Sequence, residues 1–375
     1  MRDLMSLLSL FAITAALAVL TYFLFNSFSR HRQNLAQSWL VSGETAISSG
    51  HPEQAVEAFR SALEYDPGQP ETEIELAMAL AAAGRTDEAI SYFTSLLESE
   101  PGNGIINLEL ARLYAKQGNE SKAIDFYQRA LDGKWQGDGY ERRRAVRLEL
   151  ARYLLDQKDY QRARTQLLIA AGNAPDDPKI RMQIAGMMEE AQDQANALEI
   201  YRSIAQQKPG PIEALEGAGR VAFALGRFEL AREYLDRAVN HPDFRSQPES
   251  VRTATQETLA DAVHLLAVYP RPELNVNERA ERILHMAKVA QARLDACSIT
   301  KGTPVASLAD LSAQWQQIPA RLTPTTLARD PQLEQTIMNL VFTTEKQTSQ
   351  VCGAPTGDDA LLLKIAQSPL TVEQR

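Results

Sequence analysis

The chain has few of the side chains on which most catalytic and metal-binding chemistry depends. It contains only 2 cysteines and 5 histidines among its 375 residues. It has no HExxH or CxxC metal pattern, no glycine-rich phosphate loop ending in Gly-Lys-Ser/Thr, and no GxSxG nucleophile turn. These absences predict that the protein is not an enzyme and has no catalytic residues, no metal site and no cofactor.

Positive charge is also in deficit. Lysine and arginine together number 39 against 48 aspartates and glutamates, which gives a net charge of -9 and a pI of about 5.3. Such a surface repels the polyanionic backbone of nucleic acid. We therefore expect no nucleic-acid partner, and the missing catalytic groups give no reason to expect a small-molecule substrate.

Charged side chains are absent from a long stretch near the start of the chain. Residues 4–29 carry none, and residues 4–25 are almost wholly apolar. In a helix that run is about 33 Å long, enough to cross a hydrocarbon core of about 30 Å. A cleaved signal peptide is the alternative, but its apolar core is usually shorter and ends at a small-residue cleavage site. The sequence predicts a single-pass anchor in the cell (inner) membrane over residues 1–29, followed by a short polar linker over residues 30–35.

Beyond the anchor, the chain consists largely of a pattern that returns every 34 residues, with one six-residue excess after the third copy. Each copy has a small residue in its eighth place, alanine in its twentieth, a large apolar residue between and after them, and in most copies a closing proline. The copies cover residues 36–69, 70–103, 104–137, 144–177, 178–211 and 212–245.

Apolar spacings of three and four within each copy predict two amphipathic helices. The small residues allow these helices to approach to about 8–10 Å. A glycine such as Gly50 or Gly84 stands where the first helix must end in a left-handed cap. Lys158 and Gln192 replace that glycine in the fourth and fifth copies, so we expect those turns to be strained or longer.

The repeated residues resemble the tetratricopeptide repeat, and the first copy shows this with Trp39, Gly43, Ala55, Phe59 and Pro67 at the family's offsets. The resemblance covers about residues 36–245. It implies an all-α protein: a right-handed superhelical solenoid of six helix-turn-helix repeats with a concave groove for protein or peptide partners. One transmembrane helix precedes the solenoid, and a non-repeat helical module over residues 246–375 follows and caps it.

The resemblance also implies which residues line the groove, because the fifth, ninth and thirteenth places of each first helix face it. We expect a partner segment to set apolar side chains on the aliphatic fifth places and an acidic group on the basic ninth and thirteenth places. Alternatively, the fifth-place residues mainly pack between neighbouring helices. The candidate partner-binding residues are Leu40, Ile74, Leu108, Arg112, Lys116, Leu148, Arg152, Met182 and Arg220.

The excess after the third copy places Trp135 in a glycine-rich loop beside several arginines. Tryptophan and arginine dominate interface hot spots, so this loop is a candidate contact site. Alternatively, the tryptophan packs back onto the adjoining helix ends.

The two cysteines, Cys297 and Cys352, each end a predicted helix of the C-terminal module. A disulfide between them is typical of an exported, oxidising environment, and two unrelated buried thiols are the alternative. Arg30 and Arg32 directly after the anchor favour the opposite, cytoplasmic, side by the positive-inside rule. The sequence leaves the side of the membrane open, with a lean toward a periplasmic soluble domain.

Together these features predict a membrane-tethered scaffold or adaptor for protein–protein interactions. The architecture of one anchor plus repeats is similar to that of anchored repeat proteins in bacterial envelope biogenesis and membrane-complex assembly. The alternatives are a subunit that recruits substrate for an enzyme and a passive structural tether.

Overall fold

The computed structural model describes residues 2–206, 210–301, 306–319 and 321–367. The regular structure in these ranges is helical, apart from one isolated parallel bridge between Asn103 and Lys134. The predicted all-α class is therefore confirmed. The chain divides into two compact units, Met1–Gln166 and Leu167–Arg375, which are described in turn.

The first unit opens with one long helix, α1 (Arg2–Ser48). It contains both the apolar run and the first helix of the first repeat. The linker predicted over residues 30–35 is thus helical and continuous with its neighbours. The reason is local, since residues 26–35 include neither glycine nor proline to interrupt a helix.

Six further helices complete the first unit, and an eighth begins in it. Each first helix is joined to its second helix by a short turn, as expected for helical hairpins. These helices are α2 (Pro52–Tyr65), α3 (Pro70–Ala82), α4 (Thr86–Ser99), α5 (Gly104–Lys116), α6 (Glu120–Asp132), α7 (Gly139–Asp156) and α8 (Tyr160–Gly172).

The small residues of the repeats lie where the two helices of a hairpin meet. Ala77, Ala89, Ala111 and Ala123 all have no exposed surface. At Gly43 an added Cβ atom would lie 2.5 Å from the ring of Phe59, so only glycine permits this approach. The predicted register of the repeats, with a buried alanine in the twentieth place, is confirmed.

The turns inside the hairpins keep one geometry whether or not they contain glycine. Gly84 has φ +80°, and the backbone N–H groups of residues 84 and 85 return to carbonyls of the helix before them. Lys158 and Gln192 adopt the same left-handed conformation, with φ 62° and 60°. These two turns are therefore strained and not longer.

The second unit contains the remainder of α8, two further hairpins and a capping helix. Its helices are α9 (Pro178–Glu190), α10 (Gln194–Ala205), α11 (Ile212–Ala224), α12 (Phe228–Val239), a short 3-10 helix (Pro242–Ser246) and α13 (Glu249–Val268). Helix α13 packs on α11 and α12 with Ala262, Leu265 and Leu266 buried. It covers the face that a seventh repeat would otherwise cover.

The rest of the second unit is a helical module that shares a core with the last repeat. Its helices are α14 (Val276–Lys301), α15 (Ala306–Gln316), α16 (Pro324–Leu327), α17 (Pro331–Cys352) and α18 (Gly357–Gln367). Phe228 of α12 and Leu265 of α13 belong to the same apolar cluster as Ile283, Trp315 and Val341 of the module. The module is thus built onto the end of the repeats.

Helices α14 and α17 run parallel. Arg279 and Glu334 form an ion pair near the two starting ends, and Cys297 and Cys352 meet near the two finishing ends. Both pairs are separated by 55 residues along the chain, so the helices keep one register over their shared length.

Candidate partner-binding grooves

In the first unit, the aliphatic side chains at the fifth place of the repeats are at most partly exposed. Leu40, Ile74 and Leu148 are half-buried, and Leu108 is 8% exposed. Leu40 and Ile74 also pack against the apolar cluster around Phe59. These side chains therefore join neighbouring helices and, except for Leu108, still offer apolar surface to a ligand.

A cavity of about 290 Å³ adjoins Leu40 at the start of the first unit. Its other walls are mainly polar and include Gln37, Gln69 and Thr72. Leu40 is thus the one large apolar side chain among the described residues that line this mainly polar cavity.

Arg112, in the middle of the predicted basic cluster, already has two carboxylate partners. Its Nε and Nη2 atoms each lie 2.7 Å from an oxygen of Glu149, and its Nη1 atom lies 2.6 Å from Glu109. The hydrogen bond with Glu149 is the main reason that the pKa of Arg112 is raised. The guanidinium therefore joins α5 to α7, and its charge is largely matched within the protein.

Tyr127 of α6 completes this group of side chains. Its hydroxyl donates a 3.0 Å hydrogen bond to Oε1 of Glu149. Burial, and then the negative charge of Glu149, raise the pKa of Tyr127, so it remains a donor. Lys116 and Arg152, the other two predicted cations of this unit, are exposed.

The second unit holds a similar arrangement around Glu189. Arg220 of α11 pairs with both oxygens of Glu189, and the Tyr201 hydroxyl donates a 2.6 Å hydrogen bond to Oε1. An added Cβ atom at Gly217 would lie 2.8 Å from the ring of Tyr201. Glycine at this position therefore allows the tyrosine to reach across α11.

A cavity of about 440 Å³ lies beside this group, closed on one side by α13. The predicted groove residues Met182 and Arg220 line it, together with Glu213 and Glu216. Burial, and then the charge of Glu213, raise the pKa of Glu216. The groove of this unit thus changes from aliphatic to acidic at the sixth repeat.

The glycine-rich loop after α6 is tied to its own unit. The indole Nε1 of Trp135 donates a 2.9 Å hydrogen bond to the Ala130 carbonyl, and Gly104 leaves room for the ring. Arg143 donates hydrogen bonds to the carbonyls of Leu131 and Gly133. The tryptophan therefore packs back onto the helix ends, as the second interpretation of this loop proposed.

The capping helix α13 and the C-terminal module bring together side chains that lie far apart in the sequence. Cys297 and Cys352 are joined by a disulfide, with their Cα atoms 5.8 Å apart. The Nε2 atoms of His264 and His285 lie 3.2 and 3.4 Å from the two oxygens of Asp358. Within the described ranges, no group of three or more His, Cys, Asp or Glu side chains is arranged to hold a metal ion.

The fold and the grooves define a class: an α-solenoid scaffold for protein–protein interactions, built from helical hairpins. The chain belongs to the tetratricopeptide repeat family, since tetratricopeptide repeat models match residues 46–91, 74–138, 148–212 and 211–248. Members of this family are generally non-catalytic interaction modules that bind peptides or proteins. The comparison with curated protein sequences finds no match.

Several solved structures are similar to the chain. PilF of Pseudomonas aeruginosa is 19% identical, with 60% of this chain and 99% of that chain covered at a TM-score of 0.40. YrrB, a TPR protein described as having an unusual peptide-binding site, is 20% identical, with 54% and 100% covered at 0.40. The Naa15/Naa10 complex bound to HypK-THB is 18% identical, with 85% and 46% covered at 0.44.

The N-terminal helix meets the physical requirement for a membrane span. The stretch Ile13–Ser48 of α1 is long and apolar enough to cross a bilayer by length and composition. A signal sequence near an N-terminus meets the same requirement.

Proposed function

We propose that this protein is a membrane-tethered scaffold that holds partner proteins beside the membrane during envelope biogenesis or the assembly of a membrane complex. The observation that carries the proposal is the combination of half-exposed aliphatic groove residues with an apolar helix that runs directly into the first repeat. The groove supplies binding surface, and the helix supplies attachment.

The continuous α1 makes the tether short and stiff. Ten residues, 26–35, separate the end of the apolar run from the first repeat, which at 1.5 Å per residue is about 15 Å. A partner held in the first unit would therefore stay close to the headgroups. A passive tether needs no such spacing, whereas an assembly scaffold benefits from it.

We propose the periplasmic side for the repeats. The support is the Cys297–Cys352 pair, whose Cα separation of 5.8 Å is within the usual range for a disulfide. Such bonds persist in the periplasm and are rare in the cytoplasm.

The partner segment that we propose for the first unit carries apolar side chains and an acidic group. The apolar side chains would lie on Leu40, Ile74 and Leu148, and the acidic group near Lys116 and Arg152. Arg112 is better regarded as a positioning residue, since Glu109 and Glu149 already occupy its guanidinium.

The test is site-specific photo-crosslinking of the full chain in cells. A photoreactive amino acid at Lys116 should give defined adducts with one or a few membrane or periplasmic proteins. The same amino acid at Tyr92 should give no adducts. Tyr92 is 38% exposed and lies on α4, the second helix of its hairpin. A double variant, Lys116→Glu with Arg152→Glu, should weaken capture by tenfold or more. Arg129→Glu with Lys134→Glu makes the same charge change outside the groove as a control.

The outcomes separate the three functions. Adducts at Lys116 that the groove variant loses support the scaffold. A captured protein that is an enzyme, with activity that falls when the groove is mutated, favours a substrate-recruiting subunit. The absence of any adduct at Lys116 and at a second groove position, Leu148, would favour the passive tether.

A further inference from the structure

The groove of the second unit carries negative charge that its own residues leave unmatched. Glu213 and Glu216 lie on α11 and line the cavity of about 440 Å³ beside α13. Glu213 is exposed and Glu216 is half-buried, so a ligand in the cavity can reach both carboxylates. Their contacts with the residues that the structure describes are with neutral groups, the amide of Gln247 and the hydroxyl of Thr255.

These two hydrogen bonds are long. Gln247 donates to Glu213 over 3.4 Å, and Thr255 donates to Glu216 over 3.5 Å. A hydrogen bond to a carboxylate is usually about 2.5–2.9 Å long. Both carboxylates therefore keep the capacity to accept shorter bonds from a charged donor.

The electrostatics of Glu216 agree with this geometry. Burial and the charge of Glu213 raise the pKa of Glu216, although Arg220 and His241 act in the opposite direction. Arg220 is the only lysine or arginine among the described residues that line the cavity, and it pairs with both oxygens of Glu189. Its charge is thus matched by a carboxylate that is not part of the cavity lining.

The other walls of the cavity suit an aliphatic chain. Met182 of α9 and Val251 of α13 are half-buried and both line it, so each offers apolar surface. Lysine and arginine side chains combine an aliphatic stem with a charged end, and one such side chain matches the apolar walls and the carboxylates together. The volume lies within the roughly 300–1,000 Å³ of ligand pockets, so part of the adjoining backbone has room as well.

We propose that the cavity of the second unit binds a lysine or arginine side chain of a partner protein. The stem of that side chain lies between Met182 and Val251, and its charged end donates hydrogen bonds to Glu213 and Glu216. The inference rests on the proposed function, because the occupant is a segment of a partner protein, but it concerns a different unit and the opposite charge. Two sites of opposite charge in one chain favour a partner that carries both an acidic and a basic segment.

The methyl group of Met182 gives a direct readout of this cavity. The full chain, in nanodiscs of zwitterionic lipid and labelled at its methionine methyl groups, is titrated to millimolar concentration with the peptide acetyl-Gly-Leu-Arg-Leu-Gly-amide. The NMR signal of Met182, assigned by its loss in Met182→Leu, should shift and saturate. The same peptide with citrulline in place of arginine keeps the shape without the charge, and it should bind about fivefold to tenfold more weakly.

Two double variants complete the test. Glu213→Gln with Glu216→Gln keeps the size of both side chains and should remove the preference for arginine over citrulline. Glu233→Gln with Glu257→Gln removes two exposed charges outside the cavity lining of the same unit and should leave that preference unchanged.

Three results would overturn the inference: an unmoved Met182 signal, equal binding of the two peptides, or a preference for arginine that survives Glu213→Gln with Glu216→Gln. The comparison of the two peptides uses the unmodified protein, so it stands even if a variant folds poorly. None of these results depends on whether a photoreactive residue at Lys116 captures a protein. Failure of this inference is therefore distinguishable from failure of the proposed function.

Discussion

At the scale of single residues, two turns of the repeats keep the usual left-handed geometry although they contain no glycine. Lys158 and Gln192 occupy left-handed turn positions at which Gly50, Gly84 and Gly118 serve in other repeats. A residue with a Cβ atom is strained there, because the atom crowds the following carbonyl. The surrounding hairpin imposes the conformation because its helices on either side are fixed by packing.

Lys158→Gly and Gln192→Gly should therefore each stabilise the protein, by about 0.5–1 kcal/mol, since relief of the strain exceeds the larger unfolded-state entropy of glycine. The reverse change, Gly118→Ala, should destabilise by about 1 kcal/mol. Urea unfolding measures all three. If the two glycine variants are less stable than the parent chain, the left-handed turns are not strained.

A second effect at this scale concerns Glu345, whose side chain is fully buried facing Asp359. Burial, followed by the negative charge of Asp359, raises the pKa of Glu345 from 4.5 to about 8. The folded state therefore holds a proton that the unfolded state releases near pH 4.5. The stability from this group is complete below that pH and is lost as the pH rises through about 8.

Glu345→Gln should remove this loss, because glutamine stays neutral. The variant should melt at a higher temperature than the parent at pH 9, and the difference should shrink at pH 5. Thr336→Ala, at an exposed side chain of the same helix that has no titratable group, is the control and should leave the pH profile unchanged. A Glu345→Gln profile parallel to that of the parent would contradict the assignment.

At the scale of elements, the hairpins depend on close contact between paired helices. Ala123 of α6 has no exposed surface, whereas its neighbour Lys122 is exposed. A leucine at the first position must push the helices apart, whereas at the second it stays on the exposed surface beside the ring of Tyr114.

Ala123→Leu should destabilise the protein by about 1–3 kcal/mol, the usual range for overpacking. Lys122→Leu is the matched control and should change the stability by less than about 0.5 kcal/mol. The melting temperatures of both variants, compared with that of the parent chain, test this prediction. Equal losses would mean that the register assigned to the third repeat is incorrect.

At the scale of the whole molecule, the charges beside the apolar helix and the cysteine pair bear on the proposed membrane topology. Arg30 and Arg32 favour the cytoplasm, whereas the proximity of Cys297 and Cys352 favours an oxidising compartment. A disulfide that closes a 55-residue loop stabilises by about 4 kcal/mol in the chain-entropy model. This is a large gain for a small helical module.

The two cysteines should therefore resist a thiol-reactive polymer in intact cells and react only after reduction. The readout is the electrophoretic shift of the full chain, with and without reductant. Cys297→Ser with Cys352→Ser serves as the unlabelled control. Labelling of both thiols in unreduced, denatured samples would show that the disulfide is absent and would remove the main support for a periplasmic domain.

Most of the helices and the register of the repeats could be predicted from the amino-acid sequence alone. The apolar run, the 34-residue period and the small residues at Ala77, Ala111 and Ala123 are local signals, because helix formation and hairpin packing depend on neighbours within one repeat. Helix α14 and helix α17 were also predictable from apolar spacing and, for α17, from a proline at its first position. The continuous helix through residues 30–35 was missed, although the lack of glycine and proline there was visible.

The pairing of charged side chains could be seen only in the folded chain. Arg112 and Glu149 are 37 residues apart, and Arg279 and Glu334 are 55 apart. Partners at such distances depend on how whole helices pack, and a single sequence carries no periodic signal for that. For this reason the sequence did not show that Arg112, in the predicted basic cluster, is paired with Glu109 and Glu149. The cleft lined by Tyr269, Ile283 and Phe342 could likewise not be predicted from the sequence, because its walls come from three segments that only the packing of the module brings together.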